Sequence, residues 1–317
     1  MRSKKGASRS KIPEWEVFRD WPPATLRKVL DKDKTVVFAP GGTSRWYFVY
    51  HGDISQGYTQ ADQFADYAQR SMLRVLEIAA MMFADGIQTV LAAVYVPAMT
   101  QRDEEYVNNL AWVYQVMVGD EARQRYDHDH ISVQFRGDWD RTLNLVGSID
   151  LSGYFQELEQ STAGRKHRFI WLTEETELIP EQLSDMVARE LAKTGKIPDR
   201  ASLSTAYYGY PLTQADIFIG HNKPTLGTLV PPLLTVNDLY YTVTPSLSLD
   251  RVQWRRILYD HLFSRRSWYR DYRALGENAL GPLLEYYQKH GDIIQGVGKY
   301  NPETQIWSPL LNGDDAG

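Results

Sequence analysis

Five short runs rich in β-branched and aromatic residues are spaced along the chain, and between most of them lie stretches long enough to be helices. The runs are "TVVFAP" (35–40), "TVLAAVYV" (89–96), "ISVQFRGDW" (131–139), "HRFIWLTE" (167–174) and "ADIFIG" (215–220). Runs of this kind, bounded by turn formers, read as strands. A helical crossover between consecutive strands joins parallel partners, which a tight hairpin cannot do. Parallel sheets are covered by helices on both faces. The spacing therefore predicts an α/β fold.

The helical stretches carry the matching periodicity. From Thr59 to Ala84, the residues Phe64, Tyr67, Met72, Val75, Ile78 and Met82 recur at helical spacing, and Gly86 follows as a stop. "DEEYVNNLAWVYQVMV" (103–118) and "PEQLSDMVARELAKTG" (180–195, closed by Gly195) read as further helices, and "DRVQWRRILYDHLFSRRSWYRDYRAL" (250–275) as one long basic and aromatic helix. There is no internal repeat and no low-complexity linker. One α/β domain over residues 13–308 is expected, between a basic, Ser-rich tail (1–12) and a short C-terminal tail (309–317).

Composition narrows the function classes. With 43% apolar residues the 317-residue chain can bury a sizeable core, and a net charge of −5 gives no general attraction for nucleic acid. The absence of cysteine removes disulfides, thiolate metal sites and a cysteine nucleophile. No apolar stretch approaches the ~20 residues that span a bilayer, so a cytoplasmic protein is expected. A weak contact of the basic tail with anionic lipid is the one membrane role left open.

In open parallel sheets, ligands sit beyond the carboxyl ends of the strands. The segment "APGGTS" lies there, after the first strand. In "GGTSR" (41–45), successive backbone N–H groups, the Thr43 and Ser44 hydroxyls and the Arg45 fork could hold an anion at the start of the next element. A plain tight turn explains the same residues, since neither a Walker A loop nor a GxGxxG pattern is present. "YDHDH" (126–130) alternates carboxylate and imidazole before a strand, but a polar loop accounts for it better than a metal site. "RDEEY" (102–106) reads as a helix start favoured by the dipole. The arginines of the last long helix, among them Arg255 and Arg256, suit phosphate, or equally a solvated helix face. No GxSxG elbow supports serine-hydrolase chemistry.

Taken in order, Gly41-Gly42-Thr43-Ser44-Arg45-Trp46, "AYYGYPLTQADIFIG" (206–220), "LYYTVTPS" (239–246), "RRILYDH" (255–261) and the closing "GVG" (296–298) resemble the cis-prenyltransferase superfamily. The similarity runs over roughly residues 35–300 and is nearest to the branch of tuberculosinol, tuberculosinyl-adenosine and kolavelool synthases. The resemblance implies a six-stranded, mostly parallel sheet flanked by helices, with a hydrophobic tunnel above a phosphate loop. It also implies a homodimer that cleaves an allylic diphosphate, usually with Mg²⁺, and lets another nucleophile capture the cation.

Carried over residue by residue, Gly42, Thr43, Arg45 and Trp46 match the loop. Gly41 stands where the family has the Mg²⁺-coordinating aspartate. Tyr95-Val96-Pro97-Ala98 replaces the polar segment after the second strand, and Gly220-His221-Asn222-Lys223 replaces the third, arginine-rich motif. The resulting expectation is a terpene synthase that ionises a prenyl or bicyclic diterpenyl diphosphate and quenches the cation with water or by deprotonation. Gly41, Gly42, Thr43, Ser44, Arg45 and Lys223 are expected at the diphosphate, with Arg255 and Arg256 ranked lower. Tyr95, Tyr207 and Tyr208 are expected in the cavity wall as the catalytic side chains. Metal ligands are not identified. A non-catalytic partner subunit and a prenyl transferase with metal ligands relocated to Asp53 or Asp138 are the alternatives.

Overall fold

The computed structural model describes residues 12–30, 33–53, 57–95, 104–173, 179–225, 232–265, 277–291 and 293–310. Two short helices, α1 (Trp15–Arg19) and α2 (Pro23–Val29), precede strand β1 (Thr35–Phe38), all four residues of which are buried. Helix α3 (Thr43–His51) starts directly beyond the Gly41-Gly42 turn, and the long α4 (Gln60–Asp85) follows. The Thr59 hydroxyl caps α4 by accepting from the Asp62 N–H, and Gly86 closes it in the left-handed conformation. Strand β2 (Thr89–Tyr95) leads through α5 (Glu104–Val118) and α6 (Asp120–His128) to β3 (Ile131–Gly137).

After α7 (Trp139–Leu145) and α8 (Leu151–Thr162) comes β4 (His167–Thr173), then α9 (Ile179–Thr194) and α10 (Arg200–Tyr208). Strands β5 (Gln214–His221) and β6 (Thr235–Thr242) complete the main sheet. The chain then makes a short 3₁₀ turn (Ser246–Ser248) and enters α11 (Arg251–Tyr259). Helix α12 (Glu277–His290) and a hairpin of β7 (Gly298–Asn301) and β8 (Ile306–Pro309) end the described chain.

The main sheet has six strands in the order β3-β4-β2-β1-β5-β6, all paired in parallel. β1 is therefore central, with β2 on one side and β5 on the other. Alternation sends Val36, Phe38, Val90, Ala92, Phe169 and Trp171 to the face covered by α4, α5, α8 and α11. It sends Val37, Leu91, Ile170, Leu172 and Phe218 to the opposite face, against α9 and α10. On α4, Met72, Val75, Ile78 and Met82 are buried as their spacing predicts, while Phe64 and Tyr67 are half-buried at its amino end.

The 250–275 helix is corrected. Asp250 and Gln253 form a reciprocal capping box, but the α-helix stops at Tyr259 and opens into a wider π turn over Asp260–Ser264. In that turn the Asp260 carboxylate is held from outside the helix by the Tyr240 hydroxyl and from its end by Arg265 Nε. The arginines and aromatics expected from 266 to 273 lie outside the described residues.

Candidate functional site

Parallel pairing sets the site. β1 and β5 run in register from Val36 opposite Ile217 to Phe38 opposite Ile219, and Ala39 N–H donates to the Ile219 carbonyl. The turn after β1 and the segment His221-Asn222-Lys223, which begins with the last residue of β5, therefore leave the sheet side by side. The two regions expected from sequence to hold the diphosphate are neighbours.

Gly42 is the N-cap of α3 in the left-handed conformation, at φ 68° and ψ 25°. Glycine adopts this without penalty, and a Cβ here would also lie 2.7 Å from His221 Nε2. No side chain caps the helix and no acidic residue occurs in its first turn. The opening N–H groups of a helix have no partner within it, so the positive end of the α3 dipole is left without a carboxylate from its own first turn. Thr43 Oγ1 is 2.6 Å from the Tyr67 hydroxyl on α4. Lys223 is exposed.

Gly41 is clamped from far away in sequence. Its N–H donates to Ser246 Oγ at 2.7 Å, and its carbonyl accepts from the Ser246 hydroxyl and N–H at 3.0 and 3.1 Å. The space beside it is filled: a Cβ built on Gly41 would be 2.7 Å from His221 Cβ. His221 Nδ1 lies 3.2 Å from the Thr242 carbonyl, and its Nε2 is 2.9 Å from Arg45 Nη2. The carbonyl can only accept and the guanidinium can only donate. The ring is thus neutral, protonated at Nδ1, with its Nε2 lone pair turned to Arg45. Burial, and then the Arg45 charge, hold the His221 pKa below the ordinary value, consistent with that form.

A second network flanks the loop on α4. Tyr47 donates to Asp66 Oδ2 at 2.8 Å, and Arg70 Nε reaches both carboxylate oxygens at 2.9 and 2.8 Å. Burial alone would raise the Asp66 pKa, but the hydrogen bonds from Arg70 and Tyr47 outweigh it and hold the group below its usual value.

Several expected site residues are elsewhere. Arg255 is a correction: its guanidinium is 1% exposed and grips Asp85 through Nε and Nη2, each at 2.7 Å. Its Nη1 donates to the Trp21 carbonyl. Asp85 ends α4 just before β2 begins, so this pair sits at the amino end of the sheet, away from the loop. Arg256 stacks over the Trp15 ring at 4.9 Å and lines an apolar hollow of about 540 Å³ beside Tyr240 and Thr242.

Tyr207 and Tyr208 are also corrected. They pack into the core on the α9–α10 side of the sheet, and the Tyr208 hydroxyl donates to the Pro232 carbonyl. Tyr207 borders a hollow with Arg136, Asp185 and Arg189, three strands from β1. Tyr95 ends β2, and its side chain lies outside the described residues, as does 96–98.

The relocated-ligand alternative finds no support. Asp53 follows the far end of α3, ~16 Å along the helix from Gly42 at 1.5 Å per residue, and Asp138 caps α7 by accepting from Arg141 N–H. "YDHDH" is the end of α6 and its turn. There Tyr126 is buried and bonded to the Met117 carbonyl, while Asp127 pairs with Arg165. Among the described residues no group of three or more His, Cys, Asp or Glu is arranged to hold a metal.

Sequence reasoning named His221 only as part of a reduced motif and Tyr67 only as a core position. Both signals were present, in a histidine next to a strand end and a tyrosine among apolar neighbours, but neither residue announces which loop it meets.

No family model matches the chain. It is 28% identical over 289 residues to the tuberculosinyl adenosine transferase of Mycobacterium tuberculosis (strain CDC 1551 / Oshkosh), covering 89% of this chain and 94% of the relative. It is 26% identical over 315 residues to the (+)-kolavelool synthase of Herpetosiphon aurantiacus, covering 94% and 99%. Among solved structures, it resembles lavandulyl diphosphate synthase from Lavandula x intermedia in complex with dimethylallyl diphosphate, at a TM-score of 0.56 and 15% identity, over 74% of this chain and 97% of that one. A probable undecaprenyl diphosphate synthase from Campylobacter jejuni gives a TM-score of 0.51 and 13% identity, over 75% and 98%. The six-stranded parallel sheet with a loop at the end of β1 is thus the fold of these prenyl diphosphate synthases, and along nearly its whole length the chain is similar in sequence to the tuberculosinyl adenosine transferase and the (+)-kolavelool synthase.

Proposed function

We propose that the protein binds a prenyl or bicyclic diterpenyl diphosphate at the amino end of α3 and ionises it. The observation that carries this reading is the uncapped α3 terminus, free of acidic residues, with Arg45 on its first turn and Lys223 leaving the neighbouring strand. Backbone N–H groups of 43–45, the Thr43 and Ser44 hydroxyls, Arg45 and Lys223 would share the diphosphate charge. As the allylic C–O bond breaks, its electron pair leaves with the diphosphate, and fixed donors are worth most where that charge develops.

The cation left behind would be closed by water, which adds its oxygen and gives up a proton, by loss of a neighbouring C–H proton, or by a nucleophile such as the adenosine named for one relative. Tyr67 is held at Thr43 by its hydroxyl, and the rings of Tyr47 and Phe64 pack edge-on against it. In this reading Tyr67 and its ring neighbours, rather than Tyr207 or Tyr208, would stabilise the cation through their π-systems.

The absence of a carboxylate at Gly41 favours a second reading, a binding subunit without turnover. Incubating the purified protein with allylic diphosphates of increasing length and with bicyclic diterpenyl diphosphates, with Mg²⁺ or with EDTA, separates the two. Alcohol or olefin products by mass spectrometry support the enzyme. Tight binding with no product from any of them sinks it.

A further inference from the structure

We propose that His221 and Gly41 form one exchange: the imidazole fills the side-chain space of residue 41 and holds Arg45, so that a guanidinium and not a loop-bound Mg²⁺ meets the diphosphate. The inference rests on the reading of this loop as a diphosphate site.

Space is the first argument. Gly41 does not lie in the left-handed region, so its backbone would accept a side chain. What excludes one is the His221 side chain, whose Cβ lies 2.7 Å and whose ring atoms Cδ2 and Cγ lie 3.2 and 3.3 Å from a Cβ built there. The glycine cannot move away, because Ser246 holds both its N–H and its carbonyl. An aspartate at 41 and a histidine at 221 are mutually exclusive in this backbone.

Donor chemistry is the second. Mg²⁺ takes oxygen ligands in octahedral geometry. Beside Gly41 stand a neutral imidazole, whose free nitrogen already accepts from Arg45, and the guanidinium itself, which repels a cation. The nearby Asp66 is bound to Arg70 and Tyr47. Among the described residues, those beside Gly41 do not fit the ion that the fold family implies.

Orientation is the third. With Nδ1–H given to the Thr242 carbonyl, Nε2 aims at Arg45 Nη2 and tethers the guanidinium beside Gly42 at the helix terminus. His221 is thus a positioning residue: it acts through Arg45.

The test uses the full chain, inorganic diphosphate as titrant in calorimetry, and thermal unfolding, on wild type, Gly41→Asp, His221→Ala and the double variant Gly41→Asp/His221→Gly, which removes the Cβ in contact with residue 41. Wild type should bind diphosphate in EDTA. His221→Ala should weaken binding about tenfold, the scale of one charge-assisted hydrogen bond, and added imidazole should restore it by refilling the space beside Gly41. Gly41→Asp should lower the unfolding temperature and abolish binding in EDTA. The double variant should regain stability over Gly41→Asp and bind only when Mg²⁺ is supplied. If His221→Ala does not fold, His221→Gln, which keeps an acceptor, carries the same comparison. Wild-type binding that requires Mg²⁺, or a Gly41→Asp protein as stable and as tight as wild type, overturns the exchange while leaving the diphosphate site standing. Wild type that fails to bind diphosphate both with Mg²⁺ and in EDTA overturns the loop assignment, and the exchange with it.

Discussion

Replacing Arg45 by alanine isolates the charged part of the anion site. The guanidinium sits on the first turn of α3 and is half-buried, tethered at 2.9 Å to His221 Nε2. A hydrogen bond between charged groups contributes about 1.5–3 kcal/mol, which at about 1.4 kcal/mol per decade is a loss of roughly 10- to 150-fold in diphosphate affinity. Binding should not vanish, because the helix terminus remains and is worth about 0.3–1 kcal/mol to an anion. Arg45→Lys should fall between the two, since it keeps the charge without the fork. Calorimetry with inorganic diphosphate at moderate salt measures this, with thermal unfolding as the check on folding. The same variant has a second readout in the His221 ring, followed by NMR titration. Burial, the larger cause of its lowered pKa, persists, but the Arg45 charge is gone, so the ring should titrate at higher pH than in wild type. An unchanged affinity in a folded Arg45→Ala protein would refute the placement of the diphosphate at this loop.

Arg255→Ala should act on stability alone: it strands a buried Asp85 carboxylate, at a cost of about 3–5 kcal/mol. Urea unfolding measures this, and a loss below about 1 kcal/mol would show that water reaches the pair. His167 stacks on Phe83 at 4.7 Å and has its pKa lowered to about 4, by burial first and then by Lys166. Because its folded pKa lies below the unfolded one, the unfolded chain takes up the proton first, and stability falls as pH drops from about 6.5 to about 4 and levels off below. The half-exposed ring limits the effect to about 1–2 kcal/mol of the ~3.4 that the shift alone would give. His167→Phe keeps the stacking and should flatten that part of the pH–stability curve; an unaltered slope in urea midpoints would count against it.

The parts of the fold legible in the sequence are those where pattern and burial coincide. β1, β2 and β5 are buried along most of their length, and α4 has one continuous apolar stripe, so their periods speak plainly. α3 escaped because its residues Phe48, Val49 and Tyr50 are exposed and its cap is a glycine, leaving neither a stripe nor a capping signal. β6 is an edge strand with mixed burial, and its place in the sheet was implied by resemblance and not by pattern. The site was legible as a loop and illegible as a network. Nothing local to Arg255 says that Asp85, 170 positions earlier, neutralises it, and nothing local to His221 says that the residue beside it lacks a side chain. A sequence shows which groups exist, whereas their roles are decided by partners that only the folded chain brings near.

The Ser246 clamp has a further consequence for how the protein comes into being. The turn it fixes lies 205 residues earlier in the chain, and the strand that seats His221 is also distant from β1. A chain emerging amino end first can pair β1 with β2 and pack α4 well before either arrives. Long loops of this kind close late and slowly. The protein would therefore pass through a stage in which most of the sheet is built while the anion cradle is unmade. Competence to hold a ligand would be acquired in one of the last steps of folding, and chains truncated before Ser246 would lack it however well the rest had packed.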